Sequence, residues 1–345
     1  MRSTRQMTAL LFLCASIISS RPAAAQVLIN GAGATFPTPL YTRWFNTYAR
    51  VDSGVEFNYQ SIGSGGGIAQ IIDRKVDFGA SDAPLSDKQL ADAPGRILHF
   101  PTVLGADVIA YNLPRVTERL RFTGPVVADI FLGKITKWND QAIAELNPGA
   151  TLPDSAIVVC HRSDGSGTTY VFADYLSKIS QQWGSKVGRG TSVPWPVGFA
   201  GKGNQGVTEL VKQTSGAIGY VELVYALQDR LPIGLLKNHD GNWVEANTKT
   251  VTTAAANAAA SMPSDFRVSI TDAPGADSYP ISSFTYLLIY QQQNDDTKGK
   301  ALAAFIEWML HDGQTFAIPL SYAPLPGPVI AAEEKQLKIL RLSLP

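Results

Sequence analysis

A chain of 345 residues with 29 Lys and Arg against 29 Asp and Glu has no surplus of positive charge to offer a polyanion. Its basic residues are not clustered either, which argues against a nucleic-acid-binding surface. Four scattered histidines and two cysteines without CxxC spacing suggest no metal site, and no cofactor is expected.

The N-terminus reads as a leader. Arg2 and Arg5 precede an apolar run from Ala9 to Ile18, and Ala23-Ala24-Ala25 stands before Gln26. That is the layout of a cleaved secretory signal peptide over residues 1–25. The apolar run is shorter than the roughly 20 residues that span a bilayer. Leu13 before Cys14 is larger than a lipobox tolerates. Cleavage removes Arg2, Arg5 and Arg21, leaving a formal charge of about −3. Cys160 then stands alone, so no intrachain disulfide is expected. Roughly 320 mature residues exceed what one core usually holds, so two domains are expected.

Short apolar runs alternate with amphipathic segments along the rest of the chain, the pattern of an α/β protein. Val27 to Ile29 is predicted as a strand. Pro39 to Tyr48 reads as a helix with Leu40, Trp44, Phe45 and Tyr48 on one face. Val55 to Gln60 and Val76 to Ala80 read as strands flanking a helix from Gly67 to Arg74. Further strands are predicted at Val108–Tyr111, Ile157–Cys160, Ile218–Val221 and Tyr286–Tyr290. Helices are predicted at Phe172–Ile179 and Leu302–Leu310, and alanine content suggests another over Ala254–Ala260.

Three glycine-rich turns each lie between an apolar strand and a helix: Gly31 to Pro37, Gly63 to Gly67, and Asp164 to Thr168. A helix N-terminus presents unpaired N–H groups and partial positive charge. Glycine lets an anion approach that backbone, and Ser or Thr hydroxyls add donors, so such turns suit phosphate, sulfate or carboxylate. Arg162, just before the third turn, is placed to offer a guanidinium fork to a tetrahedral oxyanion. Asp164, two residues on, shares its face and could orient that fork; a plain surface ion pair is the other reading.

Asp82 ends the predicted strand at Val76–Ala80, where α/β ligand sites gather. A carboxylate there repels a fully ionised oxyanion but accepts a hydrogen bond from phosphate, which keeps a proton at neutral pH. Sulfate has none to give. The residues alone leave equally open that Asp82 is an N-cap or turn aspartate beside Pro84.

At these residues the chain resembles the periplasmic phosphate-binding proteins of the phosphate-specific (Pst) ABC transporter. The matching stretches are GAGATFP at 31–37, IGSGGG at 62–67, GGIAQII at 66–72 and VDFGASDAPLSD at 76–87. LGKITKWND at 132–140, RSDGSGT at 162–168, GKGN at 201–204 and GAIGYVE at 216–222 complete them. The resemblance weakens from about Leu231 to Tyr279 and near the C-terminus. It implies a two-lobed periplasmic-binding-protein fold of type II, with two α/β domains joined by a hinge and the ligand cleft between them. Lobe I would comprise residues 26–112 and 280–345, and lobe II residues 113–279. The implied phosphate ligands are Thr35, Phe36 (through its backbone N–H), Ser64, Asp82, Arg162, Ser166, Gly167 and Thr168, with Asp164 holding Arg162. Implied partners are inorganic phosphate and the membrane permease subunits of the transporter, with a monomeric periplasmic receptor and no nucleic acid. His161 and Ser163 beside Arg162, and Gly65 where a serine is common, depart from the family pattern. Ile29-Asn30-Gly31 is also similar to the start of the secreted DING phosphate-binding proteins.

Two rival classes remain at this stage. A phosphatase would need a nucleophile, but no serine is centred in a G-x-S-x-G match. Cys160 and His161, adjacent on a strand, would point to opposite faces. Gly201 to Gly206 matches G-x-G-x-x-G, yet it follows a proline-containing stretch and reads as a loop. A surface protein that merely keeps the fold is the second rival, and it would show no phosphate affinity.

Overall fold

The computed structural model describes residues 26–258 and 262–342. The leader expected over residues 1–25, and residues 259 and 260 of the alanine-rich helix, lie outside the described residues.

Strand–helix alternation opens the chain. β1 (Val27–Gly33) leads to α1 (Thr38–Val51), then β2 (Val55–Ser61), α2 (Ser64–Ile72) and β3 (Phe78–Ser81). β1 pairs in parallel with β2 on one side and β3 on the other. α1 begins with a proline in its first turn and buries Leu40, Tyr41, Trp44, Phe45 and Tyr48, the 3–4 spacing of one helical face. Trp44 also donates to the carbonyl of Gly313 at 2.7 Å. α2 lies directly on β1, because a Cβ on Gly67 would stand 2.5 Å from the Cα of Gly33. Only glycine permits that approach.

α3 (Asp87–Asp92), opened by a Ser86–Gln89 capping box, leads to β4 (Ile97–Tyr111). β4 spans fifteen residues, all buried, and organises the molecule. Through Ala106 it pairs antiparallel with β11 (Ser282–Tyr290), and from Asp107 onward with β8 (Ala217–Glu222). Sequence pattern finds only the last part of β4. His99, Pro101 and Gly105 interrupt its apolar run, and a register shift opposite Thr285/Tyr286 absorbs an extra residue beside Pro101.

The second half of the chain begins with β5 (Arg121–Phe122), α4 (Gly124–Phe131) and the short α5 (Gln141–Ala144). β6 (Val158–Arg162) then runs into α6 (Gly167–Ile179) and α7 (Gln181–Lys186), and β7 (Phe199–Gly201) into α8 (Gly203–Gln213). β6 pairs in parallel with both β7 and β8. The segment from Gly201 to Gly206 is therefore not a loop: it turns strand β7 into helix α8. α9 (Leu223–Gln228), β9 (Leu235–Lys237), β10 (Trp243–Val244) and α10 (Thr248–Ala258) follow, and β11 re-enters the main sheet before α11 (Asp296–Leu310) and α12 (Gly327–Leu337). The resulting eight-stranded sheet has the order β2-β1-β3-β11-β4-β8-β6-β7, beside a small sheet β10-β9-β5. The architecture is mixed α/β, as the sequence predicts. No helix among the described residues is long and apolar enough to cross a membrane.

Candidate anion-binding site

The helices that follow β2 and β6 start earlier than their apolar pattern suggests, because glycine-rich first turns have low helix propensity. α2 starts at Ser64 and α6 at Gly167, so Ser64 sits in a first helical turn and Ser166 becomes an N-cap. Their N-termini, the start of α8 and the turn before α1 meet in one buried space.

Donors and acceptors in that space are connected through named bonds. Arg162, almost fully buried, gives Nε and Nη2 to the two oxygens of Asp164 at 2.8 and 2.6 Å, and Nη1 to Thr168 Oγ1 at 3.1 Å. Asp164 also accepts from the N–H of Gly203 at 2.9 Å. Burial alone would raise its carboxyl, but the Arg162 bonds and charge, with backbone donors, hold it below the usual range. The surface ion-pair alternative fails, since the Arg162 side chain is only 1% exposed.

Asn204, absent from the residues singled out by sequence, joins the two halves. Its Nδ2 donates to Thr35 Oγ1 at 2.9 Å and to Thr168 Oγ1 at 3.1 Å, and its backbone N–H reaches Thr35 Oγ1 at 3.2 Å. Its Oδ1 accepts from the N–H of Glu222 at 2.9 Å. Tyr225 donates its hydroxyl to the carbonyl of Thr35, and Tyr322 to that of Phe36 at 2.6 Å, which fixes the turn before α1.

Asp82 is buried directly after β3, with no helix start behind it to cap. Thr285 Oγ1 donates to its Oδ1 at 2.7 Å; the neighbouring irregularity in the β4–β11 pairing sets the position of that threonine. Ser64 Oγ donates to Oδ2 at 3.5 Å and accepts from the Asp82 N–H at 3.2 Å. Burial pushes the Asp82 carboxyl up to about 7, against the opposing pull of Thr285, Arg162 and Ser64. Gly167 packs against this pair so closely that a Cβ there would stand 2.4 Å from both Asp82 Oδ2 and Ser64 Oγ.

The hydroxyls share one property. Thr35 accepts from Asn204, Thr168 from Arg162 and Asn204, Ser64 from the Asp82 N–H, and Ser166 from the Thr169 N–H at 3.0 Å. Thr35 and Thr168 each have both lone pairs engaged by protein donors, so their own hydrogens are left for a further acceptor, whereas Ser64 gives its hydrogen to Asp82 Oδ2. A cleft of about 260 Å³, lined by Thr35, Asp164, Lys202, Asn204 and Tyr225 among others, leads up to this group. Among the described residues no group of three His, Cys, Asp or Glu side chains is arranged to hold a metal ion.

A sheet whose halves meet over buried hydroxyls and helix N-termini defines the class of two-lobed binding proteins, and a PBP superfamily domain matches residues 19–312. The chain belongs within it to the family of the PstS phosphate-binding proteins. It is 48% identical over 309 residues to phosphate-binding protein PstS of Xylella fastidiosa, covering 88% of this chain and 84% of the relative. It is 45% identical over 311 residues to phosphate-binding protein PstS of Pasteurella multocida, covering 90% of each. Its fold is similar to that of a high affinity periplasmic phosphate-binding protein, PfluDING, solved bound with phosphate at pH 8.5. That likeness has a TM-score of 0.73 at 21% identity over 90% of this chain and 93% of the other, and it concerns the fold alone.

Proposed function

We propose that the chain binds inorganic phosphate outside the inner membrane and delivers it to the permease subunits of an ABC transporter for import. The observation that carries this reading is the set of hydroxyls at Thr35, Ser64, Ser166 and Thr168 gathered at helix starts around Arg162 and Asp82, where the oxygens of Thr35 and Thr168 each accept two protein donors and so keep their hydrogens for a ligand. A tetrahedral oxyanion accepts from all of them, from the remaining edge of Arg162, and from the N–H groups of Phe36, Gly167 and Thr168 at helix starts. Asp82 then accepts the one hydrogen that phosphate retains. Asp164 holds the Arg162 fork in place.

The two halves of the sheet act as lobes on this reading, at residues 26–112 with 280–345 and at 113–279. It is supported by β4, which exchanges partners between Ala106 and Asp107. Closure is favoured because the ligand gains bonds from both halves at once. Export by the leader at residues 1–25 and a monomeric periplasmic receptor complete the reading, and binding rather than catalysis is its chemistry. His161 gives no support to a hydrolase, since its Nδ1 lies 3.0 Å from the carbonyl of the adjacent Arg162. A PstS-type receptor is favoured over a DING-type one by the relatives named PstS at 41–48% identity.

Titration calorimetry of ligand-stripped protein with phosphate, sulfate and arsenate tests the proposal. Heat with phosphate, at micromolar or tighter affinity (about −8 kcal/mol), and little with sulfate is expected. No heat with phosphate overturns it.

A further inference from the structure

Behind the hydroxyl shell lie two carboxyl groups that the binding chemistry above does not use. Asp107 is the residue at which β4 leaves β11 and takes up β8, and its direct partner across the strands is Glu222, the last residue of β8. Residues opposed in an antiparallel pair point to the same face with Cβ atoms about 5 Å apart. Glu222 Oε1 lies against Gly105 on β4, beside the ring of Phe36. Both residues are 0% exposed. Neither oxygen of Asp107 has a hydrogen-bond partner, nor has Oε1 of Glu222, while Oε2 caps α9 through the N–H of Val224.

The hydroxyls around them are committed elsewhere. Tyr279 donates to the backbone carbonyl of Asp107 rather than to its carboxyl, Tyr322 to Phe36, and Tyr225 to Thr35. Tyr220 is occupied with Thr169 and the N–H of Arg162. The charged groups within electrostatic reach are Asp82 from the end of β3 and Arg162 from β6. Arg162 is already engaged by Asp164. Two buried carboxylates facing each other beside Asp82 and a bound anion would place several negative charges around one guanidinium, an arrangement water exclusion makes untenable.

We propose that Asp107 and Glu222 form a proton-holding carboxyl pair at the crossing of the two halves, and that closing the cleft around phosphate takes up a proton onto this pair. The inference rests on the phosphate-receptor reading. With the halves parted, water reaches the cleft wall and the carboxyls ionise near their ordinary values; with the halves closed, burial favours the neutral acids. Burial raises both groups well above the carboxylate range; repulsion from Asp82 adds to it on both and from Asp107 on Glu222, against the opposing pull of Arg162 on Asp107 and of the Val224 N–H and the Tyr322 hydroxyl on Glu222. The sign follows: the closed form binds more protons, so phosphate affinity declines as pH rises through the neutral range. The pair is thus a determinant of affinity that touches no ligand atom.

The test is phosphate affinity by calorimetry across about pH 5.5 to 8.5, for wild type, Asp107→Asn and Glu222→Gln. Proton uptake is counted at about pH 7.5 from two buffers of different ionisation heat. One proton of linkage is about tenfold in affinity per pH unit. The expected result is that wild type loses affinity across this range at least about tenfold more steeply than either variant, with correspondingly greater proton uptake. Equal slopes in wild type and in a folded variant overturn the inference while leaving phosphate binding intact. Wild type taking up no proton overturns it whatever the variants do. No phosphate heat at any pH overturns both this inference and the receptor reading.

Discussion

Gly65 and Gly165 meet backbone to backbone across the two halves of the molecule. The Gly65 N–H donates to the Gly165 carbonyl at 2.8 Å, and a Cβ built on either would stand 3.0 Å from the other's Cα. On the lobe reading proposed above, this contact forms only when the cleft closes. Gly165→Ala should therefore strain closure without disturbing either half. Overpacking of this kind costs about 1–3 kcal/mol, so phosphate affinity is expected to fall about tenfold, while the melting temperature of the ligand-free protein moves little. Unchanged affinity would show that binding does not bring these glycines together.

Asp82 predicts a pH-dependent selectivity. Its carboxyl, ordinarily near 3.9, stands at about 7 because burial disfavours the charge. A folded-state value raised above the ordinary one means that the ligand-free closed form is favoured at low pH. That advantage is lost between about pH 4 and 7. Phosphate supplies its own hydrogen to an ionised Asp82, whereas sulfate depends on the proton Asp82 carries. Competition experiments should show the phosphate-over-sulfate preference shrinking at least about tenfold from pH 8 to pH 5. Asp82→Asn should narrow the preference at pH 8 and flatten its pH dependence; a preference unchanged by this substitution removes the proton-reading role.

Arg162 is held by Asp164 through Nε and Nη2, which leaves one edge of the fork for a ligand. Charge-assisted bonds from such a group contribute about 1.5–3 kcal/mol each. Arg162→Ala should weaken phosphate binding by well over tenfold. Arg162→Lys should rescue little of it, since an ammonium cannot satisfy Asp164 and a ligand with a planar fork. Asp164→Ala retains the charge and frees its orientation, so a loss smaller than that of Arg162→Ala is expected. The reverse order, read by the same titration, would make Asp164 the primary contact.

Much of this site is legible in the sequence because its chemistry is local. Gly63-Ser64 and Ser166-Gly167-Thr168 carry their donors at the start of helices that immediately follow. Arg162 and Asp164 need only a shared strand face to find each other. Asp82 is harder: nothing nearby distinguishes a turn aspartate from a buried one. Its environment comes from Thr285, 203 positions away in the chain. β4 is legible only in its final third, since Pro101 is tolerated by a pairing irregularity that depends on β11. Asp107 and Glu222 are separate unremarkable acids until the β4–β8 register sets them opposite each other.

Asn204 shows the same limit and yields the sharpest test. Its segment has the G-x-G-x-x-G form, and the signal that could have found it is the strand–turn–helix setting from β7 to α8, which the flanking prolines obscure. In the structure its amide supplies hydrogens to Thr35 and Thr168 and accepts one from the Glu222 N–H. Asn204→Ala removes the donors and leaves a buried N–H unpaired, a cost of about 1–3 kcal/mol. Both a lower melting temperature and an affinity loss of about tenfold or more are expected. Asn204→Asp keeps the acceptor for Glu222, so it should melt higher than the alanine variant. Yet it turns the donors toward Thr35 and Thr168 into an acceptor, which draws the hydrogens of both hydroxyls away from the ligand and adds negative charge beside it. Phosphate should therefore bind more weakly to the aspartate variant than to the alanine variant, despite its greater stability. If affinity instead followed melting temperature, Asn204 would serve the packing of α8 alone, and the orientation of the hydroxyl hydrogens would not be what selects the anion.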